Sequence, residues 1–254
     1  MIRVAFMIIL DYSKKQHNQI IQASVKALKQ GKIIAYPTDT CYGLAVDVSN
    51  VSAVKKLYRL KGRNFNKPSS VVVPSVMYAK KIVKWGSGAL KLAKKFWPGA
   101  ITLVLGIMYN GFRREGFRIL SANSGYLGIR MPNNKLALDL AKHLNKPITA
   151  TSANLSGLKE CYSAKDIIKQ FQNQKLKPDM VIDVGKLPLK KPSTLVKITP
   201  SGLPPFGKLR TGFRKREERQ KFPLFSKEGE GGVQILRVGP ITKKQINQVL
   251  GVGF

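Results

Sequence analysis

Carboxylates are the scarcest functional groups in this chain: 254 residues carry 13 Asp and Glu against 45 Lys and Arg, a formal net charge of +32. Hydrolases that work through paired acids need two carboxyl groups close together, and this chain is poorly supplied for them. Two cysteines, Cys41 and Cys161, and two histidines, His17 and His143, are too few for a disulfide framework or a four-ligand zinc centre, so no metal site is expected. Apolar runs are short as well. None approaches the roughly 18 residues of a membrane-spanning helix, so no membrane partner is expected. The N-terminal MIRVAFMIIL has one basic residue and is followed by Asp11 with no small-residue cleavage site. It reads as a buried first strand, and the expected location is the cytoplasm.

What is present is a core and a strong positive field. At 43% apolar residues the chain has enough to bury. Self-repulsion at +32 disfavours a compact state unless anions compensate it, which implies RNA, DNA or an anionic substrate. The charge is uneven: no acidic residue lies between Asp47 and Glu115, while Lys61, Arg63 and Lys67 are among many cations there. A solvated basic surface accounts for most of these lysines.

Apolar spacing alternates between helical and extended periods. Helices are predicted over 14–30, from Val51 to the basic KGRNFNKP of 61–68, over about 87–96, near 134–144, after the Ser163-x-x-Asp166 capping pair, and from Thr242 onward. Strands are predicted at 32–37, 70–74, 100–106, 127–132, 147–151, 180–184, 194–199 and 233–238. Helices alternating with short apolar strands imply an α/β sheet covered on its faces. Residues 200–232 break the rhythm, with several Pro and Gly, eight basic and four acidic residues and no sustained apolar period. This segment is expected to be a flexible basic insertion in a single domain spanning 1–254, or a lid.

Several local patterns are chance resemblances. Gly202-x-x-x-x-Gly207-Lys208 spells most of a phosphate loop, but Leu209 replaces the magnesium-binding hydroxyl and Pro204-Pro205 removes the amide cradle. Ser52-x-x-Lys55 lacks the other elements of a Ser-Lys nucleophile. His17 and His143 sit in polar helical contexts and read as surface residues. Cys41 has no activating partner in the sequence and reads as a small buried filler.

The remaining polar residues fall at strand ends, where open α/β sheets bind ligands. They are Pro37-Thr38-Asp39-Thr40, Lys61-x-Arg63, Arg130 within an apolar strand, Ser152-x-Asn154 after PITAT, Ser193-Thr194 and Arg237. Singly, Thr-Asp and Ser-Ala-Asn are good helix caps and Lys-Gly-Arg is a plausible basic turn. Together they supply fixed cations and neutral donors without an acid/base pair, which suits binding phosphates and carboxylates.

YPTDTCYGLAVDV, YRLKGRNFNKP, FWPGAITLVL, LGIRMP, PITATSANLSG, PSTLV and ILRVGPIT stand in this order. Over about 14–199 and 233–250 the chain closely resembles the Sua5/YrdC family, the L-threonylcarbamoyladenylate synthases, in its short form. The resemblance implies a single twisted mixed α/β sheet domain with a concave basic cleft. It also implies a reaction in which L-threonine, bicarbonate and ATP give threonylcarbamoyl-AMP and pyrophosphate, toward N6-threonylcarbamoyladenosine at position 37 of tRNA. Thr40, Arg130, Ala150 (through its backbone) and Ser193 match positions that hold threonine. Arg63, Lys67, Ser152, Asn154 and Arg237 match positions that hold the nucleotide, and Lys61 with Arg63 forms the catalytic basic motif. Magnesium is expected to ride on ATP. tRNA or another RNA and a downstream threonylcarbamoyl transferase are the implied partners. Val72 stands where some relatives have histidine near threonine, and Tyr126 where some have threonine near ATP. The alternative is an RNA-binding module that keeps the fold without adenylating activity.

Overall fold

The computed structural model describes residues 7–108, 115–199 and 232–251. The insertion expected at 200–232 lies outside the described residues apart from Gly232. Apolar periodicity sets the helices. In α1 (His17–Lys29) Ile20, Ile21, Val25 and Leu28 share the buried face, and Gly31 follows in the left-handed conformation at φ 74°. Asn50, Asn134 and Ser163 cap α2 (Val51–Lys61), α6 (Lys135–Leu144) and α7 (Ala164–Phe171) through their side chains. Thr242 opens α8 (Lys243–Leu250) with a capping box. The remaining helices are α3 (Val76–Lys80), α4 (Ser87–Phe96) and α5 (Glu115–Leu120).

The mixed α/β architecture holds, but its strands fall into two mixed sheets rather than one. The first has the order β1 (Ile8–Asp11), β9 (Met180–Asp183), β2 (Ile34–Tyr36), β3 (Gly43–Ala45), β8 (Thr151–Ser152). The second runs β11 (Val233–Arg237), β10 (Thr194–Ile198), β5 (Ile101–Gly106), β6 (Tyr126–Arg130), β4 (Ser70–Val72), β7 (Ile148–Thr149). Successive strands β7 and β8 belong to different sheets, so Ala150 marks the point where the chain crosses between them. Thr149 fastens the crossing. Its hydroxyl donates to Leu44 O (2.8 Å) and accepts from Val46 N (3.1 Å), and its carbonyl accepts from the Tyr36 hydroxyl (3.0 Å).

Two sequence expectations change. The first strand is not buried: β1 is the edge of its sheet, with Ile8 and Ile9 nearly half exposed. Nor is His17 a surface residue, for only 12% of its side chain is exposed. Its Nε2 lies 2.9 Å from Asp139 Oδ2 and its Nδ1 3.1 Å from the Tyr12 hydroxyl, which ties α1 to α6. Lys135 shares that carboxylate oxygen. His143, by contrast, is exposed.

Burial pushes the Asp139 carboxyl up, and the hydrogen bonds from Lys135 and His17 more than offset this, holding it below the usual carboxylate range. Its stabilisation is therefore present above the ordinary carboxyl pKa and is lost as pH falls through the lower folded value. Asp139→Asn is expected to cost about 1–3 kcal/mol near neutral pH. In urea unfolding the gap between parent and variant should close below about pH 3.9. A gap that persists in acid would show that the carboxylate's charge is not what clamps the helices.

Candidate active site

A small open cleft lies where the chain crosses between the sheets, lined among others by Thr40, Val72, Arg130, Ala150 and Ser152. Thr40 is placed by the loop that leaves β2. The Thr38 hydroxyl donates to Cys41 O (2.7 Å), accepts from Thr40 N (3.1 Å), and lies 3.1 Å from the Thr40 hydroxyl. Gly43 lets that loop return against the sheet, since a Cβ there would meet the Tyr36 ring at 3.1 Å and Thr151 O at 3.3 Å. Ala150 N donates to Ser70 O (2.8 Å), which leaves its carbonyl as the group it can offer a ligand.

Arg130, the last residue of β6, is 6% exposed and pairs through Nη2 with Asp39. Its Nε is buried and has no hydrogen-bond partner among the described residues. Val72 sits opposite Arg130 in the β4–β6 register, so an apolar wall flanks the guanidinium. Cys41 also lines the cleft. Burial, followed by the charge of Glu160, pushes its thiol up to about 11, which keeps it protonated at neutral pH and unfit as a nucleophile.

Lys61 ends α2 and is 2% exposed. Gly62 turns the chain at φ 58°. The Lys61 ammonium donates to the carbonyls of Ser152 and Asn154 and lies 3.4 Å from Asn154 Oδ1. An ammonium has three donors, and these acceptors account for all of them. Burial, then the charge of Arg63, brings its pKa down to about 7. Ser152 and Asn154 cap no helix: Asn154 Nδ2 donates to Leu155 O (2.9 Å) and Leu158 O (2.7 Å), folding the loop after β8, and the Ser152 hydroxyl donates to Asn154 Oδ1.

Arg63 braces the turn that follows α2. Its Nε donates to Lys67 O (3.3 Å) and its Nη2 to Pro68 O (2.6 Å), while Tyr58 donates to Lys67 O (3.2 Å) and stacks on Phe65. A guanidinium carries five donors, so three remain on Arg63 for the Tyr58 hydroxyl beside it and for a ligand. Lys67 is exposed. On the second sheet, Arg237 donates from Nε and Nη2 to Ser193 O at 3.1 and 2.8 Å, and the Ser193 hydroxyl lies 2.8 Å from that of Thr102. Partial desolvation and the nearby charge of Arg130 hold the Arg237 pKa below its ordinary value. Among the described residues no carboxylate pairs with Lys61, Arg63, Lys67 or Arg237.

Thus Thr40, Arg130, Ala150 and Ser152 meet at one cleft. Lys61 and Asn154 join it through the loop that carries Ser152, whereas the Arg63–Lys67 turn and the Ser193–Arg237 pair do not line it. Asp39 was legible only as a helix cap; no helix follows it, and it serves Arg130 instead. Tyr126 opens β6, with the Lys197 ammonium 4.1 Å from its ring centroid.

A family model described as "Sua5_yciO_yrdC: Telomere recombination" matches residues 26–212. The chain belongs to the Sua5/YciO/YrdC family. A relative from Methanocaldococcus jannaschii is 33% identical over 190 residues, which is 75% of this chain and 86% of the relative. The threonylcarbamoyl-AMP synthase of Pyrococcus abyssi is 30% identical over 207 residues, 78% of this chain but 58% of that protein. A crystal structure of P. abyssi Sua5 complexed with L-threonine superposes with a TM-score of 0.73 at 25% identity, covering 97% of this chain and 61% of that one. The chain thus spans about three fifths of Sua5, and the likeness extends over both sheets. Among the described residues no helix is long and apolar enough to cross a membrane.

Proposed function

We propose that the chain is an L-threonylcarbamoyladenylate synthase and that residues 1–254 act as one catalytic unit in the cytoplasm. The observation that carries this reading is the cleft itself, where Arg130, neutral hydroxyls and the Ala150 carbonyl converge, and nearby cations lack carboxylate partners among the described residues. The relative's name and the threonine complex of a family member point the same way.

In this reading Arg130 receives the threonine carboxylate, while Thr40, the Ala150 carbonyl and Ser193 hold the amine and hydroxyl. Arg63, Lys67 and Arg237, with Ser152 and Asn154, hold the nucleotide, and magnesium enters on the triphosphate as part of the substrate. Bicarbonate takes a proton from the threonine ammonium and dehydrates to carbon dioxide. The freed amine attacks that carbon and releases a proton, and a carbamate oxygen then attacks the α-phosphorus as pyrophosphate leaves. Alignment and charge neutralisation dominate such a step, which agrees with a cleft whose thiol stays protonated at neutral pH. Lys61, its donors committed to carbonyls, contributes by fixing the Ser152–Asn154 loop.

Pyrophosphate release that requires threonine, bicarbonate and ATP together tests the proposal. Release from ATP alone would overturn it, as would none at all. tRNA and a threonylcarbamoyl transferase are the partners the product's chemistry calls for.

None of the residues assigned to this site lies in the segment 201–231. Its ends are already joined, because Ile198 pairs with Val233 and Thr199 N donates to Gly232 O (2.8 Å). A short linker closes such a hairpin at little entropic cost. Replacing 201–231 by a short Gly-Ser linker should leave synthesis within about threefold of the parent, below a kcal/mol. Loss of synthesis in a variant still folded by circular dichroism would give the segment a role in closing the cleft.

A further inference from the structure

We propose that Asp39 is the positioning residue of the amino-acid site: it fixes one edge of the Arg130 guanidinium and so presents the remainder of the fork to the substrate carboxylate. The proposal rests on the reading of the cleft as a threonine site. Both side chains of the pair are 8% exposed, and Asp39 does not itself line the cleft that Arg130 lines. Each Asp39 oxygen is engaged. Oδ1 accepts from Arg130 Nη2, and Oδ2 accepts from the backbone N–H of Asn133 at 3.0 Å. The carboxylate thereby ties the loop after β2 to the turn after β6 and spans 91 residues of sequence to do it.

This arrangement differs from a closed structural ion pair. Arginine–carboxylate pairs frequently take two parallel N–H bonds, and here the second oxygen goes to the backbone instead. Among the described residues Arg130 Nε has no partner and is buried, an orphan donor that costs as much as a lost hydrogen bond unless a ligand satisfies it. A planar fork held by one edge keeps the geometry that a second carboxylate can meet in bidentate fashion. The Asp39 charge also offsets that of Arg130 beside Val72, so the guanidinium is not an unpaired buried cation.

Full-length Asp39→Asn and Asp39→Glu variants test this, with steady-state kinetics for both substrates and calorimetric titration of L-threonine. For Asp39→Asn the threonine KM is expected to rise about tenfold or more, equivalent to about 1.4 kcal/mol, with kcat and the ATP KM within about twofold. Asp39→Glu, which keeps the charge but displaces it by one methylene, should fall between parent and Asn variant. Should Asp39→Asn fail to fold, the Glu variant shows the same split in smaller measure. A threonine KM equal to the parent's in either folded variant would overturn the proposal, as would equal rises in both KM values. A parent that binds threonine but releases no pyrophosphate would overturn the synthase reading and leave the Asp39 comparison to the threonine Kd. A parent that binds no threonine would overturn both.

Discussion

Arg63→Ala is expected to lose about 10²–10³ in kcat, or roughly 2.7–4 kcal/mol of transition-state stabilisation. Arg63 sits one residue beyond the left-handed turn that ends α2, and two of its donors reach the carbonyls of Lys67 and Pro68. The other three face no carboxylate among the described residues. A half-buried guanidinium held by its own turn is preorganised for charge that grows on the α-phosphate as the carbamate attacks. Its interaction therefore strengthens along the reaction, and its removal appears in kcat more than in KM. Loss of the turn itself is a separate effect. Arg63→Lys keeps the charge but cannot reproduce the fork, so it should recover only part of kcat. Should Arg63→Ala instead raise the ATP KM with kcat near the parent's, Arg63 braces the 64–68 turn and another cation meets the phosphate.

Arg130→Ala has a different signature. Removing it takes away a bidentate partner for the threonine carboxylate, and hydrogen bonds to charged groups contribute about 1.5–3 kcal/mol each. The threonine KM should rise by at least about 100-fold while the ATP KM stays within a few-fold. Arg130 also neutralises Asp39, so the variant leaves a buried carboxylate unpaired and should melt at lower temperature. The two consequences separate by measurement: the melt reports the ion pair, and the ratio of the two KM values reports the substrate. Equal changes in both KM values would reduce Arg130 to a structural partner of Asp39.

The parts of the fold that were legible in the sequence are those set by local chemistry. The helix at 87–96, the Ser163 cap and the strand that carries Arg130 follow from apolar period and capping residues alone. Elements too short to show a period were missed, among them β3 with three residues and α3 with five. β1 was misjudged because an apolar run does not tell an edge strand from a central one. Long-range pairs account for the other differences. His17 meets Asp139 at a separation of 122 residues, and Asp39 meets Arg130 at 91. The basic Lys61-x-Arg63 motif was visible, yet only the fold shows that Lys61 turns inward to the carbonyls of Ser152 and Asn154 while Arg63 keeps donors in reserve.

The central claim is that this chain joins three substrates in one reaction, and incubation with 13C-bicarbonate, L-threonine and ATP followed by 13C NMR and mass spectrometry tests it most directly. The account predicts a carbamate carbon bearing the label in an adduct that contains both threonine and AMP, formed one for one with pyrophosphate and absent when any substrate is withheld. Pyrophosphate or AMP formed without the labelled adduct would contradict it.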